Sequence, residues 1–234
     1  MAIPRPSRPE YSTTIPSNGK KIRYQPFTIR EEKALILAAE GEDADEIANA
    51  VVNCIKNCVT SPTDFDVESL AIFDIEYIFL KCRAKSVGEK IDFILRDPSD
   101  ETFSIEQSVN IDKITVTKDK NHTDLIDIEG MKIKMKYPDI SFFTEGVNIS
   151  NITTSTTALT RCISQIIVDE EVFNRVDMTD EELTEWIEGL SQKQYNALLE
   201  FFVTMPRLSH KLTARNTNTG KDFSVTLEGL SDFF

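Results

Sequence analysis

The stretch from Thr28 to Glu89 constrains the fold most, because it carries three helical stripes with start signals and then changes period abruptly. Thr28 with Glu31 three residues on forms a capping box, in which hydroxyl and carboxylate reciprocally satisfy free N–H groups at a helix start. Ala34, Leu35, Leu37 and Ala38 continue it as an apolar stripe. Asp43 with Glu46 repeats the signal. Ile47, Val51, Cys54, Ile55 and Cys58 then mark the buried face of a second helix. Ser61-Pro62 breaks the chain. Asp66 is the expected cap of a third helix reaching about Ala84, and Leu70, Phe73, Tyr77, Ile78 and Leu80 make that helix apolar on most sides. It is the expected centre of the block. Asp74 and Glu76 invite comparison with a catalytic acid pair, but residues two apart on a helix point in different directions.

After Ser86-Val87-Gly88 the period becomes two: Val87, Ile91 and Phe93 alternate with Glu89 and Asp92. Asp97-Pro98-Ser99-Asp100 reads as a turn and Phe103–Gln107 as the return strand. Ile111–Thr117, Asp124–Ile128 and Met131–Lys136 predict further strands, the last with lysines on a wet face. Beyond Tyr137-Pro138 the spacing predicts a helix over Thr156–Val168, one capped by Thr179 with Glu182, and one capped by Ser191 with Gln194. Leu208–Ala214 and Phe223–Leu227, joined by Asn216–Gly220, form a closing hairpin. At the other end, Asn18-Gly19 supplies the positive φ of a tight turn between short strands. Pro4, Pro6 and Pro9 enforce extended backbone around Arg5 and Arg8.

The expected architecture is α+β: an N-terminal three-helix block, a central antiparallel β meander, and C-terminal helices with a terminal β-hairpin. The expected segments are an extended arm with a hairpin at 1–23, a helical block at 24–86, a β block at 87–137 and a helical segment closing in a hairpin at 138–234, with 24–234 one compact unit.

Chemistry is scarce. Eight glycines form neither GxGxxG nor GxxxxGK[ST], so no phosphate cradle is written in the chain. The two histidines, His122 in a Lys/Asn turn and His210 in a strand pattern, offer few bases for a nucleophile, and both read as solvated. Acid pairs of the glycosidase kind always exist somewhere among 39 acids, but no segment singles one out. Cys54, Cys58, Cys82 and Cys162 have irregular spacing and no CxxC, which favours small buried hydrophobes in a reducing cytoplasm over a disulfide or metal framework. A net charge of −13 disfavours nucleic acid and anionic lipid as partners. No apolar run approaches the ~20 residues of a membrane span, and the first residues lack a signal peptide's apolar core. No catalytic, cofactor or metal residue is assigned. The candidate contacts with a partner are Arg5 and Arg8 of the arm and Leu230, Phe233 and Phe234 of the closing segment, although docking of that segment on the chain's own core is the favoured reading of its apolar end.

Several runs, taken together, carry a resemblance: YQPFTIREEKALILAAE, FDIEYIFLKCRAKSVGE and LEGLSDFF, strongest at Pro26-Phe27-Thr28, Glu31-Glu32-Lys33, Asp74-Ile75-Glu76-Tyr77 and Arg83–Glu89. In these the chain resembles the baseplate hub proteins of T-even-like, cyanophage-type contractile-tailed bacteriophages, over most of residues 15–234. The resemblance implies a late viral, non-enzymatic protein, either a structural subunit of the hub or an assembly factor. It would act through contacts with other baseplate hub or tail proteins, with no nucleic acid, membrane, small-molecule substrate or cofactor. It would be found in the host cytoplasm during assembly and in the virion baseplate if it stays in the particle. An assembly chaperone absent from the mature virion is the second reading, and a cell-wall hydrolase the third. Relatives carry cysteine pairs in two β turns suited to a zinc ribbon. The matching turns here, Asp97–Asp100 and Asn216–Gly220, contain no cysteine, so no zinc site is carried over, and turn chemistry alone is expected to hold these hairpins.

Overall fold

A computed structural model of the chain describes residues 6–41, 43–144 and 156–229. The fold is α+β, with antiparallel sheets, and it divides into two compact units: Met1–Thr117 with Arg207–Phe234, and Lys118–Pro206.

The first unit opens with β1 (Tyr11–Thr14) and β2 (Lys21–Tyr24), paired around a turn in which Gly19 takes φ +71°. Helix α1 (Ile29–Glu40) starts on the Thr28/Glu31 capping box, with Thr28 N–H donating to Glu31 Oε2 at 2.8 Å. Helix α2 (Ala44–Cys58) starts on Asp43, whose Oδ1 accepts from the Asp45 and Glu46 amides. Strand β3 (Val59–Ser61) then joins β2 to complete a three-stranded sheet. Asp66 does not cap the third helix. Its carboxylate accepts from the Glu68 amide within a preceding turn, and α3 (Ile72–Ser86) begins six residues later, after Ala71, whose methyl group cannot cap it. The reading of α3 as central holds: Phe73, Asp74, Ile75, Ile78, Phe79, Leu80, Lys81, Cys82 and Ala84 are all buried.

Strands β4 (Lys90–Asp97) and β5 (Asp100–Asn110) form a hairpin of their own. The expected strand over Ile111–Thr117 is instead a 3-10 turn, Ile111–Lys113, capped by Asn110, followed by the two-residue β6 (Val116–Thr117). The apolar pattern of the segment is met by burying Ile111 and Ile114 against α3 rather than by sheet pairing.

In the second unit, β7 (Leu125–Ile128) and β8 (Met131–Met135) turn at Glu129-Gly130, both at positive φ. On β8, Ile133 and Met135 are buried while Lys132 is exposed and Lys134 reaches Asp124 at 2.6 Å. A single helical turn, α4 (Ser141–Thr144), precedes α5 (Thr156–Cys162). The helix expected over Thr156–Val168 ends at Cys162, and Ile163–Val168 is strand β9. Ile163, Ile166, Ile167 and Val168 are β-branched and serve a strand better than a helix once β8 offers an edge. Strand β10 (Glu171–Asn174) completes the sheet, in the order β10-β9-β8-β7. A 3-10 turn, Arg175–Asp177, leads to α6 (Asp180–Glu188) and α7 (Gln192–Thr204), whose capping boxes at Thr179/Glu182 and Ser191/Gln194 are both formed.

The chain then returns to the first unit as β11 (Arg207–Arg215) and β12 (Asp222–Glu228). β11 pairs with β12 on one side and with β6 on the other. Leu208, Leu212 and Leu227 pack with Leu80, Ala84, Leu95, Val109, Ile111 and Ile114, so α3, the β4–β5 hairpin and the returning hairpin share one core. Among the described residues no helix is long and apolar enough to cross a membrane.

Candidate interaction surfaces

Four places bring together residues with functional potential. The first is a groove of about 420 Å³ between α1 and α3, lined by Phe27, Leu35, Ile36, Ala39, Phe79 and Val87, with Glu32, Glu40 and Arg83 at its polar positions. The Phe27 amide donates to Ser86 Oγ at 2.8 Å, and Ser86 in turn donates to the Cys82 carbonyl at 2.6 Å, fixing the entry to α1 against the end of α3. Around the groove α1 presents apolar side chains to solvent: Ile29, Ile36 and Leu37 are 65%, 52% and 67% exposed, and Val87 at the end of α3 is 57% exposed. A helix that buries Leu35 and Ala38 on one face and leaves Ile36 and Leu37 bare on another is built for contact on two sides.

The second is the meeting of the two cysteine-free turns. Asn216 is fully buried. Its Nδ2 donates to Asp97 Oδ2 at 2.7 Å and Asp100 Oδ2 at 3.1 Å, and Asn218 Nδ2 reaches Asp100 Oδ2 at 3.3 Å. The Asn216 Oδ1 accepts the amides of Asn218 at 2.8 Å and Thr219 at 3.2 Å. The expectation that turn chemistry alone holds these hairpins is corrected: a side-chain lock ties one to the other. Hydrogen bonds from Asn216 and from Ser99 hold the Asp97 carboxyl below its ordinary range, and those from Thr102 and Asn216 bring Asp100 down to about 2.

The third is a polar cleft in the second unit, about 530 Å³, lined among others by Lys136, Asp139, Arg161, Arg175 and Asp180. Its charges are mutually engaged. Lys136 lies 3.7 Å from Asp139, Arg175 pairs with Asp180, and the Arg161 guanidinium sits over the Phe142 ring at 4.6 Å while donating to Ser141 Oγ at 2.7 Å.

The fourth is a set of buried titratable groups. Asp74 is fully buried; its Oδ1 accepts the Ser17 amide at 3.0 Å, its Oδ2 has no hydrogen-bond partner among the described residues, and burial raises its pKa. A carboxyl sealed from solvent cannot reach a substrate. Lys81 is buried beside Tyr77, its ammonium donating to the carbonyls of Asp112 and Ile114, and burial lowers its pKa. Lys85 pairs with both Glu89 and Asp112. His122 is not the solvated turn residue expected from its neighbours. It is buried, stacked on Tyr137 at 5.6 Å, with Nδ1 at 3.0 Å from Thr204 Oγ1 and Nε2 at 3.1 Å from the Tyr137 hydroxyl; desolvation lowers its pKa. All four cysteines are free and buried, and among the described residues no group of His, Cys, Asp and Glu is arranged to hold a metal ion.

Of the candidate contact residues, Arg8 is placed: its Nη1 donates to the Pro26 carbonyl at 2.7 Å, pinning the arm beside the start of α1. Arg5, Leu230, Phe233 and Phe234 lie outside the described residues. Neither the α1 groove nor the Asn216 lock was assigned as a site from sequence. Leu37, read from sequence in one apolar stripe with Leu35 and Ala38, is instead exposed beside Ile36. The Asn216 lock joins residues more than a hundred positions apart and leaves no local trace.

The described surfaces are an apolar groove beside α1, with exposed Ile36, Leu37 and Val87 around it, and a side-chain lock between two hairpin turns. Residues 8–234 match the family model described as T4 bacteriophage base plate protein, and the chain belongs to that family. No curated protein and no solved structure matches it.

Proposed function

We propose that this base plate protein is a component of the hub, a structural subunit or assembly factor that acts through protein–protein contacts and not through catalysis. One observation supports the hub placement above others. Of the runs in which the chain resembles hub proteins, those around Phe27, Glu32 and Arg83–Glu89 meet where α1 and α3 adjoin, and Phe27, Glu32, Arg83 and Val87 line one groove bordered by exposed apolar residues. Residues within the runs that carry the resemblance thus coincide with the surface best suited to a partner. The partners in this reading are other base plate hub or tail proteins, met in the host cytoplasm during assembly and retained in the virion tail. Nucleic acid, membrane and small-molecule substrates have no part in it.

Mass spectrometry of purified virions of the phage encoding this chain tests the subunit role. A stoichiometric copy number is the expected result. Absence from particles, together with failed assembly when the coding sequence is deleted, would replace the subunit with a chaperone. Wall-degrading activity of the purified chain would overturn the non-enzymatic reading.

A further inference from the structure

We propose that β10 is a docking edge for a second copy of this chain, the two strands pairing antiparallel about a two-fold axis at Phe173 so that the sheets of two molecules become continuous. Three observations lead there. First, the edge is open and unguarded. β10 ends the sheet order β10-β9-β8-β7, and no described strand pairs with its outer side. It carries neither lysine nor proline and pairs with β9 without a bulge, so its shortness alone blunts it.

Second, the backbone faces the right way. Asp169 and Glu170, at φ 48° and 71°, make the two-residue turn between β9 and β10. The pair flanking such a turn, Val168 and Glu171, exchanges hydrogen bonds, and the pattern alternates from there. Glu171 and Phe173 therefore bond to β9, while Val172 and Asn174 direct their amides outward. A two-fold at Phe173 sets Val172 of each copy opposite Asn174 of the other, and each Asn174 amide meets the opposite Val172 carbonyl.

Third, the side chains complement themselves. Ile126, Ile133, Ile166 and Phe173 are successive cross-strand partners, one apolar row across the sheet. The row stops at the bare edge, where Phe173 is 42% and Val172 46% exposed. At the axis the two Phe173 rings form a non-hydrogen-bonded pair, the closer kind, and continue the row. On either side of them Glu171 of one copy comes opposite Arg175 of the other, an opposite-charge pair repeated by the symmetry. Asp169, Glu170 and Asp177 flank the paired segment and repel their counterparts, and so short an edge buries less than the roughly 1,600 Å² of a standard interface, so the dimer is weak.

The test uses the free, full-length chain and does not depend on its role in the phage. Sedimentation velocity over roughly 1–500 μM chain should show monomer passing into dimer. Asn174→Pro removes the outward amide at a position with φ −88° and gives up only exposed side-chain contacts to Gln165 and Asp177 within its own chain. It should weaken association about tenfold or more with an unchanged circular dichroism spectrum, whereas Asn174→Ala, which loses the same side-chain contacts but keeps the amide, should dimerise like wild type. If Asn174→Pro does not fold, Val172→Lys places a charge on the same edge and serves in its place. Mild oxidation supplies the second arm, with the four native cysteines buried. Phe173→Cys should yield a disulfide-linked dimer, and Val172→Cys should not, because its opposite number is Asn174 and its own counterpart lies about 8 Å away, beyond disulfide reach. A chain that stays monomeric across the range, a dimer indifferent to Asn174→Pro and Val172→Lys, or equal linking at positions 172 and 173 would each overturn the proposal.

Discussion

Replacing Asn216 with alanine removes the buried side chain that ties the β11–β12 turn to the β4–β5 turn and leaves only the longer Asn218–Asp100 contact at 3.3 Å. Nδ2 makes two hydrogen bonds to carboxylates, at 2.7 and 3.1 Å, and Oδ1 accepts two backbone amides. A hydrogen bond to a charged partner contributes about 1.5–3 kcal/mol, and the buried groups left behind add their own desolvation cost, so the loss should come to about 3 kcal/mol. For a unit of this size that lowers the melting temperature by roughly 6–12 °C. The pH dependence sharpens the expectation. Asp97 and Asp100 have depressed pKa values in the fold, so their contribution is complete above the unfolded value of about 3.9 and is lost as the pH falls through the folded values. For Asp100 that runs down to about 2. The gap between wild type and Asn216→Ala should therefore be constant near neutrality and shrink between about pH 4 and pH 2. Asn216→Asp places a third carboxylate beside the other two. It should melt below Asn216→Ala at pH 7 and recover part of the difference below about pH 5, once protons are shared among the three. Differential scanning fluorimetry with circular dichroism across this range reads all three chains. If Asn216→Ala melts within a degree of wild type at pH 7, the two turns are held by something other than this lock.

Further expectations concern single groups. Asp74→Asn should leave stability unchanged or raise it at pH 7, because the folded carboxyl has a raised pKa and its ionisation is disfavoured; urea titrations should show the wild-type penalty fading as the pH falls below the folded pKa. His122 is kept neutral by burial, so the unfolded chain takes up a proton near pH 6.5 that the fold resists. Stability of the second unit should decline as the pH drops below that value, and His122→Gln should flatten the decline in a pH series of melting curves. Thr179→Ala breaks a complete capping box at the start of α6 and should cost about 1 kcal/mol by chemical denaturation. Glu170 occupies a turn position at φ +71°; Glu170→Gly should stabilise by roughly 0.5–1 kcal/mol in the same assay.

Local chemistry was legible and distant chemistry was not. The capping boxes at Thr28, Thr179 and Ser191 require only residues three apart, and each formed as read. The Asn18-Gly19 turn was equally local. Asp66 shows the limit of such signals, since the same carboxylate that caps a helix also closes a turn, and only the packing of Ile72 onward decided where α3 starts. The segment Ile163–Val168 satisfies helix and strand patterns alike, and the free edge of β8 decided between them. His122 looked solvated because its sequence neighbours are lysine and asparagine, but its environment is made by Tyr137, Phe201 and Thr204. For the surfaces, Leu37 fits one apolar stripe with Leu35 and Ala38 yet is exposed beside Ile36, and the convergence of Asp97, Asp100 and Asn216 has no local signal.

The proposed role is that of a base plate protein working at the hub through the α1–α3 face. Cryo-electron microscopy of the assembled base plate tests this most directly. Density for this chain at the central hub, with Ile36, Leu37 and Val87 buried against a neighbouring protein, is the expected result. Density at the base plate periphery, or a hub-bound chain whose α1–α3 face remains open to solvent, would contradict it.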